Sequence, residues 1–365
     1  MTRLFSARDS ACGAVFAAFA MASVSATAGE AVSFAGKRIE IIVPFSPGGG
    51  TDVYVRALAP HLEKHLPGKP TIIVRNIPGA RGIPGANQFQ GRAKPDGTDV
   101  IAASASNVAT YVLERSKVEY KMAEWEPVLL SPQGAVVYAS SALGVTGPKD
   151  IGKLKGKQLV FGGQSPGSAE LRAIITFELL GLKPKYVWGM NRGPVRLAFE
   201  RGEMNINYDS TPGYLKGAIG LVKSGKAAPL YSLGVIDEGG TLARDPNFRD
   251  LPNFAEAYEL MHGKKPSGQG YDAWLSVMKM LVMLNKGLYL PAGTPKPVLD
   301  AWHTAVRDML KDPEFDKTAG SVIEGYPQFV GAAARPIIKD ATTFSPAVWE
   351  WIKNYLKTAH DVTIQ

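Results

Sequence analysis

Cysteine is almost absent from this chain of 365 residues, which contains only Cys12. Cys12 lies near the beginning of the apolar, alanine-rich segment 11–22, whereas the cysteine of a lipoprotein follows such a segment. This position argues against a lipid anchor, and a mature chain that begins beyond the segment has no disulfide to stabilise it. A chain of this length still buries a large core, and it usually divides into two lobes.

Long apolar runs are absent as well, since no segment reaches the roughly 20 apolar residues that a membrane-spanning helix needs. Arg3 and Arg8 precede the apolar segment, and small-residue cleavage sites follow it at 24–26 and 26–28. This order is typical of a secretory signal peptide, and the apolar segment is too short for a transmembrane anchor. We predict a signal peptide over 1–28, a periplasmic location, and no membrane insertion of the mature chain.

Signatures of catalysis and of metal binding are also missing. The sequence has no G-x-S-x-G elbow, and His61 and His65 have no carboxylate at the spacing of a zinc motif. We therefore predict no catalytic residue, no metal and no cofactor. A periplasmic hydrolase is kept as a less favoured alternative.

The charge is modestly positive, with 41 Lys and Arg against 33 Asp and Glu, a formal net charge of +8. The lysines are spread along the chain, and no basic run with interleaved aromatic residues points to nucleic acid. A positive field favours anionic partners, so the composition agrees with a small acidic ligand and predicts no nucleic-acid partner.

Strand-like and helix-like segments alternate along the sequence after residue 37. The first strands are predicted at 38–45, 71–74 and 99–103, with helices from 51 and over 86–92 between them. The alternation repeats from 136 to 208, and a late strand at 287–290 returns to the first unit. This order predicts parallel α/β sheets in two hinged lobes, with 29–138 and 280–365 in lobe 1 and 139–279 in lobe 2.

The strongest candidate for a binding site is the glycine-rich turn between the first strand and the first helix. Three consecutive glycines let backbone amides turn toward an anion at a helix N-terminus, although an ordinary helix-entry turn is the alternative. An acidic residue follows where a P-loop requires Gly-Lys-Ser/Thr, which argues against a nucleotide site. The candidate ligand-binding residues here are Phe45, Ser46, Pro47, Gly48, Gly49, Thr51 and Asp52.

Two further polar turns follow predicted strands and end at the same kind of sheet edge, where ligands of open α/β sheets bind. The turn 162–168 offers Gly163, Gln164, Ser165 and Ser168, and the polar loop 104–107 offers Ser104 and Ser106. Each is also explained by an ordinary turn. If the glycine-rich turn of one lobe and the turn 162–168 of the other face each other, they would bind opposite ends of one anion.

An ordered set of short strings resembles a known family. Ile-Val-Pro-Phe at 42–45 and Pro-Gly-Gly-Gly-Thr-Asp at 47–52 resemble the opening of the Bug family, the extracytoplasmic solute receptors of tripartite tricarboxylate transporters. The likeness continues at 74–80, 95–97, 209–212 and 290–295, and so spans nearly the whole mature chain. The resemblance implies a type II-like, Venus-flytrap periplasmic binding protein that closes on a small organic carboxylate and delivers it to a membrane permease.

The resemblance also implies roles for particular residues. Loops that match 46–52 and 162–168 hold carboxylate groups, and the position of Asp209 lies on the cleft side. The chain departs from the family at Arg81 and at 188–193, where Arg192 is either a second carboxylate ligand or a surface residue and Trp188 either a pocket wall or core. A periplasmic sensor that feeds a signalling partner is the alternative function.

Overall fold

The structure is a computed structural model that describes residues 32–237, 241–323 and 325–364. The signal peptide predicted over 1–28 lies outside these residues. The described strands are β1 (Arg38–Val43), β2 (Thr71–Asn76), β3 (Asp99–Ser104), β4 (Glu126–Ser131), β5 (Ala135–Ser140), β6 (Val160–Gly163), β7 (Lys185–Trp188), β8 (Ile206–Ser210), β9 (Ala227–Ser232), β10 (Val235–Ile236), β11 (Leu242–Ala243), β12 (Lys286–Leu290) and β13 (Phe329–Val330).

Helices separate most of these strands. The described α-helices are α1 (Gly50–His65), α2 (Ile83–Arg92), α3 (Ala105–Leu113), α4 (Leu171–Leu179), α5 (Arg192–Glu200), α6 (Thr211–Gly213), α7 (Ile219–Lys223), α8 (Phe254–His262), α9 (Gln269–Met278), α10 (Lys296–Lys311), α11 (Pro313–Ala319), α12 (Ala334–Ala341) and α13 (Pro346–His360). Short 3-10 turns lie at Ala80–Gly82, Arg115–Lys117, Met122–Glu124, Ser141–Leu143, Pro148–Leu154, Gly320–Val322 and Gly331–Ala333, and π-helical turns lie at Tyr214–Ala218 and Lys279–Met283.

A six-stranded sheet in the order β13-β4-β12-β3-β1-β2 forms the first lobe. Strands β1, β2 and β3 are parallel, as the strand–helix alternation predicts, and β12 lies antiparallel between β3 and β4. The β-branched residues Ile39, Ile41 and Val43 of β1 are fully buried, so the apolar side chains of this strand form part of the core of the lobe. The late strand does return to the first sheet.

The second lobe contains a three-stranded sheet, β8-β5-β9, and a parallel pair, β6-β7. The expected parallel pairing is wrong for the three-stranded sheet, where β5 is antiparallel to both neighbours. The physical reason is that β5 comes from β4 of the other sheet and starts at the cleft end of its own sheet, where β8 and β9 end. The α/β class with two lobes is confirmed.

Two segments of the chain cross between the first and the second lobe, and they lie next to each other. Gln133, between β4 and β5, donates its backbone N–H to the carbonyl of Val282 at 3.1 Å, and Asn285 Nδ2 donates to the carbonyl of Gln133 at 3.2 Å. The C-terminal helix α13 packs against α9, and the Tyr355 hydroxyl donates to the carbonyl of Ile174 in α4 at 3.0 Å. The lobe limits at 138, 139, 279 and 280 stay a prediction.

No helix within the described ranges is long and apolar enough to cross a membrane. The same ranges contain no group of three or more His, Cys, Asp or Glu side chains that is arranged to hold a metal ion.

Candidate ligand-binding cleft

A cavity of about 360 Å³ lies where the turns that follow β1, β3 and β6 meet the ends of β8 and β12. The sequence-predicted residues that line it are Phe45, Ser46, Pro47, Gly48, Gly49, Thr51, Ser104, Ser106, Gln164, Arg192 and Asp209. Four predicted residues do not line it, namely Asp52, Gly163, Ser165 and Ser168. Both lobes therefore line one cavity, and the predicted residues that line it come from several separate turns.

The N-terminus of α1 opens into this cavity. Gly49 is the N-cap residue and no side chain caps the helix, while Gly50 and Thr51 of the first turn line the cavity. Gly48 has a φ of +74°, a left-handed conformation that glycine adopts without steric cost. The first turn thus presents unpaired N–H groups and the positive end of a 16-residue helix to whatever occupies the cavity.

Asp52 lies behind this turn, not in the cavity, and is 2% exposed. Its carboxylate accepts hydrogen bonds from the Gly48 N–H at 2.8 Å, from Arg56 Nε at 3.0 Å and from Asn76 Nδ2 at 2.9 Å. Burial acts to raise the pKa of Asp52, but these donors outweigh it and lower the pKa. The role of Asp52 in the structure is to fix the glycine turn from the inside.

Ser104 is the last residue of β3 and the N-cap of α3, and Ser106 lies in the first turn of that helix, which corrects the expectation of a polar loop at 104–107. Ser104 caps α3 by accepting from the Ser106 N–H at 3.2 Å, and Asn107 Oδ1 accepts from the Ser104 N–H at 3.1 Å. This capping box explains why the serine-rich segment turns directly into helix after β3. The Ser106 hydroxyl donates across the cleft to Gln164 Oε1 at 3.1 Å.

The turn 162–168 is held mainly by internal bonds. The Ser168 hydroxyl donates to the carbonyl of Ser165 at 2.8 Å and to the carboxylate of Glu170. A Cβ added at Gly163 would lie 2.4 Å from Glu170 Cγ, so this glycine is required for the close approach of Glu170. Ser165, Ser168 and Gly163 therefore shape the turn and do not reach the cavity. Gln164 alone of the four does.

Arg192 lines the cavity, but its guanidinium is already bonded within the second lobe. It donates to the Tyr208 carbonyl at 2.8 Å, to Asn207 Oδ1 at 3.0 Å and to the Gly162 carbonyl, and its Cζ lies 4.6 Å from the centre of the Tyr208 ring. Its Nε lies 3.5 Å from Glu170 Oε1. Arg192 is thus half-buried in the cavity wall, where it stabilises the second lobe through these hydrogen bonds, and it is not a surface arginine.

Asp209 faces the cavity but shares its carboxylate with Arg196. Arg196 binds it in a bidentate manner, with Nε at 3.1 Å and Nη2 at 2.9 Å, and the Tyr138 hydroxyl donates to it at 2.8 Å. Sequence reasoning missed Arg196, although Arg192 and Arg196 are four residues apart and therefore lie on one face of α5. That spacing is the signal that would have revealed it.

Two cations at the base of the cavity were also missed. Arg172 of α4 and Lys286 of β12 both line the cavity, and they are 3% and 8% exposed. Burial, with a smaller contribution from the charge of Arg172, lowers the pKa of Lys286 to about 7. The only signal in the sequence is a lone lysine at the start of the apolar strand 286–290.

A second cavity, also about 360 Å³, adjoins the first and shares Phe45, Ser46, Gln164 and Asn191 with it. Arg81 lines it, forms an ion pair with Glu114 and donates to the Ser165 hydroxyl at 3.3 Å. Arg81 therefore links the first lobe to the 162–168 turn. Neither Trp188 nor Met190 lines either cavity. The Trp188 ring instead stacks on Tyr186 at 5.2 Å, so core packing and not a pocket wall describes it.

No family model matches this chain. A UPF0065 protein of Bordetella bronchiseptica is 25% identical over 327 residues, which cover 86% of each chain. The protein BugT of Bordetella pertussis is 35% identical over 104 residues, which cover 27% of this chain and 31% of BugT. The chain is similar to the Bug protein BugT over this segment.

Solved structures show that the chain has the fold of periplasmic binding proteins. The periplasmic binding protein BugD has a TM-score of 0.63 and 22% identity, with 88% of this chain and 97% of BugD covered. A Rhodopseudomonas palustris protein solved with adipate has a TM-score of 0.65 and 21% identity over 89% and 98% of the two chains. The R. palustris protein MatC, solved with malate, has a TM-score of 0.57 and 20% identity over 89% and 98%.

Proposed function

We propose that this protein is a periplasmic solute-binding receptor that captures a small organic carboxylate and performs no reaction on it. The observation that carries the proposal is the cleft itself. It joins the open N-terminus of α1 to four cationic and two acidic side chains, so the lining has an excess of positive charge. The lining cations are Arg172, Arg192, Arg196 and Lys286, and the lining acids are Glu170 and Asp209.

The geometry suits an anion with a small apolar body. A cavity of about 360 Å³ lies within the size range of small-molecule sites, and unpaired amides at a helix N-terminus stabilise a carboxylate without a counter-charge. The malate and adipate in the two R. palustris structures are carboxylates of this kind, which supports the same ligand class here.

The lining of the first cavity does not favour catalysis. No histidine or cysteine is among its residues, and the Lys286 ammonium donates to Asn285 instead of to a serine hydroxyl. A serine nucleophile needs such a base within hydrogen-bond reach. We therefore propose binding without turnover, and delivery of the ligand to the membrane permease of a tripartite tricarboxylate-type transporter.

A thermal-shift and calorimetric screen of the chain from Gly29 onward tests the ligand class. The probes are adipate, malate, citrate and benzoate, with glucose and putrescine as non-acidic controls. A ligand present at a hundredfold excess over its Kd stabilises the folded state by about 2.7 kcal/mol, which raises the melting temperature measurably. Stabilisation by a carboxylate alone supports the proposal, and stabilisation by none of the carboxylates refutes it.

A substitution at Gly49 tests the site. Gly49 has an ordinary φ of −72°, but a Cβ added there would lie 3.1 Å from the Ser46 carbonyl, so Gly49→Leu displaces the turn without forbidding the fold. We expect carboxylate affinity to fall at least tenfold. Gly91→Leu is the matched control, because Gly91 is exposed on α2 with open space around its Cα. Wild-type affinity in Gly49→Leu would contradict the assigned site.

A further inference from the structure

The charges at the base of the cleft are not balanced evenly. Arg196 is paired with Asp209, and Arg192 lies 3.5 Å from Glu170, so the two acids of the cavity lining offset the two arginines of α5. Lys286 and Arg172 are the remaining cations of the lining. Within the described residues, neither has a carboxylate oxygen within the 4.0 Å of an ion pair.

The hydrogen-bond acceptors of the buried Lys286 ammonium are both on Asn285. Its Nζ donates to Asn285 Oδ1 at 2.9 Å and lies 3.4 Å from the Asn285 carbonyl. In the sheet, Lys286 pairs with Ser104, which places it next to the N-cap of α3 and on the cleft side of the six-stranded sheet. An ammonium group has three donors, and Asn285 alone does not use them all.

Arg172 has donors that the protein leaves unused. Its Nη1 donates to the Leu281 carbonyl at 3.0 Å and its Cζ lies 5.4 Å from the centre of the Tyr208 ring, but its buried Nε has no hydrogen-bond partner. A buried donor on a charged group is unfavourable when it has no hydrogen-bond partner, and a ligand that accepts its hydrogen bond removes this penalty. Both cations therefore point to an anion that belongs in the cleft.

We propose that Lys286 and Arg172 form a second carboxylate subsite, and that the ligand is a diacid held at both ends. The first carboxylate binds the N-terminus of α1, and the distal carboxylate binds Lys286 Nζ and the free donors of Arg172. This inference rests on the proposed function and goes further by naming the substrate class and the residues that select it. A monoacid of the same length leaves the two cations without a counter-charge.

Isothermal titration calorimetry at pH 6.5 tests the subsite with matched ligand pairs. Each straight-chain diacid from succinate to pimelate is compared with the monoacid in which a methyl group replaces one carboxylate. The variant is Lys286→Met, which keeps the volume of the side chain and removes the charge. Lys149→Met is the control, because Lys149 is exposed on the 3-10 turn Pro148–Leu154 and lies outside both cavities.

We expect the best diacid to bind wild type at least tenfold more tightly than its monoacid. Lys286→Met should lose at least tenfold in diacid affinity and clearly less in monoacid affinity, whereas Lys149→Met should change neither. Arg172→Gln is a second variant with the same expected pattern, and circular dichroism confirms that each variant folds.

Three results separate failure of the subsite from failure of the receptor. Equal binding of diacid and monoacid by wild type would overturn the subsite and leave the carboxylate receptor in place. An equal loss of both ligands in Lys286→Met would show a merely structural role for the lysine. Binding of no carboxylate by wild type would refute the receptor and the subsite together.

Discussion

Lys286 makes the pH dependence of binding a sharp test of the diacid subsite. Burial and the neighbouring charge of Arg172 lower its pKa to about 7 in the ligand-free protein. A carboxylate placed beside Nζ favours the charged form and therefore raises this pKa. Between the two pKa values, binding must be accompanied by uptake of a proton, so affinity for a diacid falls as the pH rises above about 7.

The size of the effect follows from the free pKa. At pH 8 about one Lys286 side chain in eleven is charged, and at pH 6 about ten in eleven are charged. If the bound lysine is fully protonated, binding takes up about 0.9 proton at pH 8 and about 0.1 proton at pH 6. The diacid affinity then falls about fivefold from pH 7 to pH 8 and approaches a tenfold loss for each further pH unit.

The other charged groups of the cavity lining are arginines and carboxylates. No histidine or cysteine lines the cavity, and the diacid is doubly ionised at pH 7 and above, where the affinity is predicted to fall. The other charged side chains of the lining are Arg172 from α4, Arg192 and Arg196 from α5, Glu170 before α4 and Asp209 of β8. Lys286 is thus the lining residue with a pKa near 7.

Calorimetry at pH 6 and pH 8, in buffers with different ionisation enthalpies, measures the proton uptake directly. The control is Lys286→Arg, which keeps the positive charge but does not titrate in this range. We expect it to retain the preference for diacids and to lose the proton uptake. Zero uptake by wild type at pH 8, or the same uptake in Lys286→Arg, would refute the reasoning.

Two further predictions concern the link between the lobes and the acid stability. Arg81→Ala removes the ion pair with Glu114 and the bond to Ser165, so we expect ligand affinity to fall about three- to tenfold, with a larger radius of gyration by small-angle scattering. A net contribution of about 0.5–1.5 kcal/mol from a hydrogen bond sets this scale. Ser165→Ala should have a smaller effect. Burial lowers the pKa of His360 to about 4, so its stabilising contribution is present above about pH 6.5 and is lost as the pH falls through 4. His360→Phe should therefore flatten the decline of the melting temperature between pH 6.5 and 4, and parallel curves would contradict this assignment.

Local features of the site were predictable because each depends on a short stretch of chain. An apolar strand, three glycines and an amphipathic helix follow one another within 38–65, and the open helix N-terminus results from that order. The predicted turn residues Phe45, Ser46 and Gly49 therefore do line the cavity. Asp52 follows the same pattern but turns inward, because Arg56 and Asn76 supply donors behind the turn.

The turn 162–168 could not be predicted from its local sequence pattern. Ser165 and Ser168 are polar enough to bind a ligand, but the Ser168 hydroxyl donates to Glu170 and to the Ser165 carbonyl, and the Ser165 hydroxyl accepts from Arg81. Whether a hydroxyl serves a ligand or its own turn depends on atoms that packing brings near it. Composition carries no information about those distances.

The sequence by itself determined the α/β class, the return of the late strand to the first sheet and the glycine turn at α1, because strand and helix patterns and glycine conformations act over a few residues. The tertiary structure alone decided the charge balance of the cleft. Arg196 is neutralised by Asp209, whereas Lys286 and Arg172 remain without a carboxylate. These pairings depend on strand register and on the packing of α4 and α5 across the cavity, which join residues far apart in the chain.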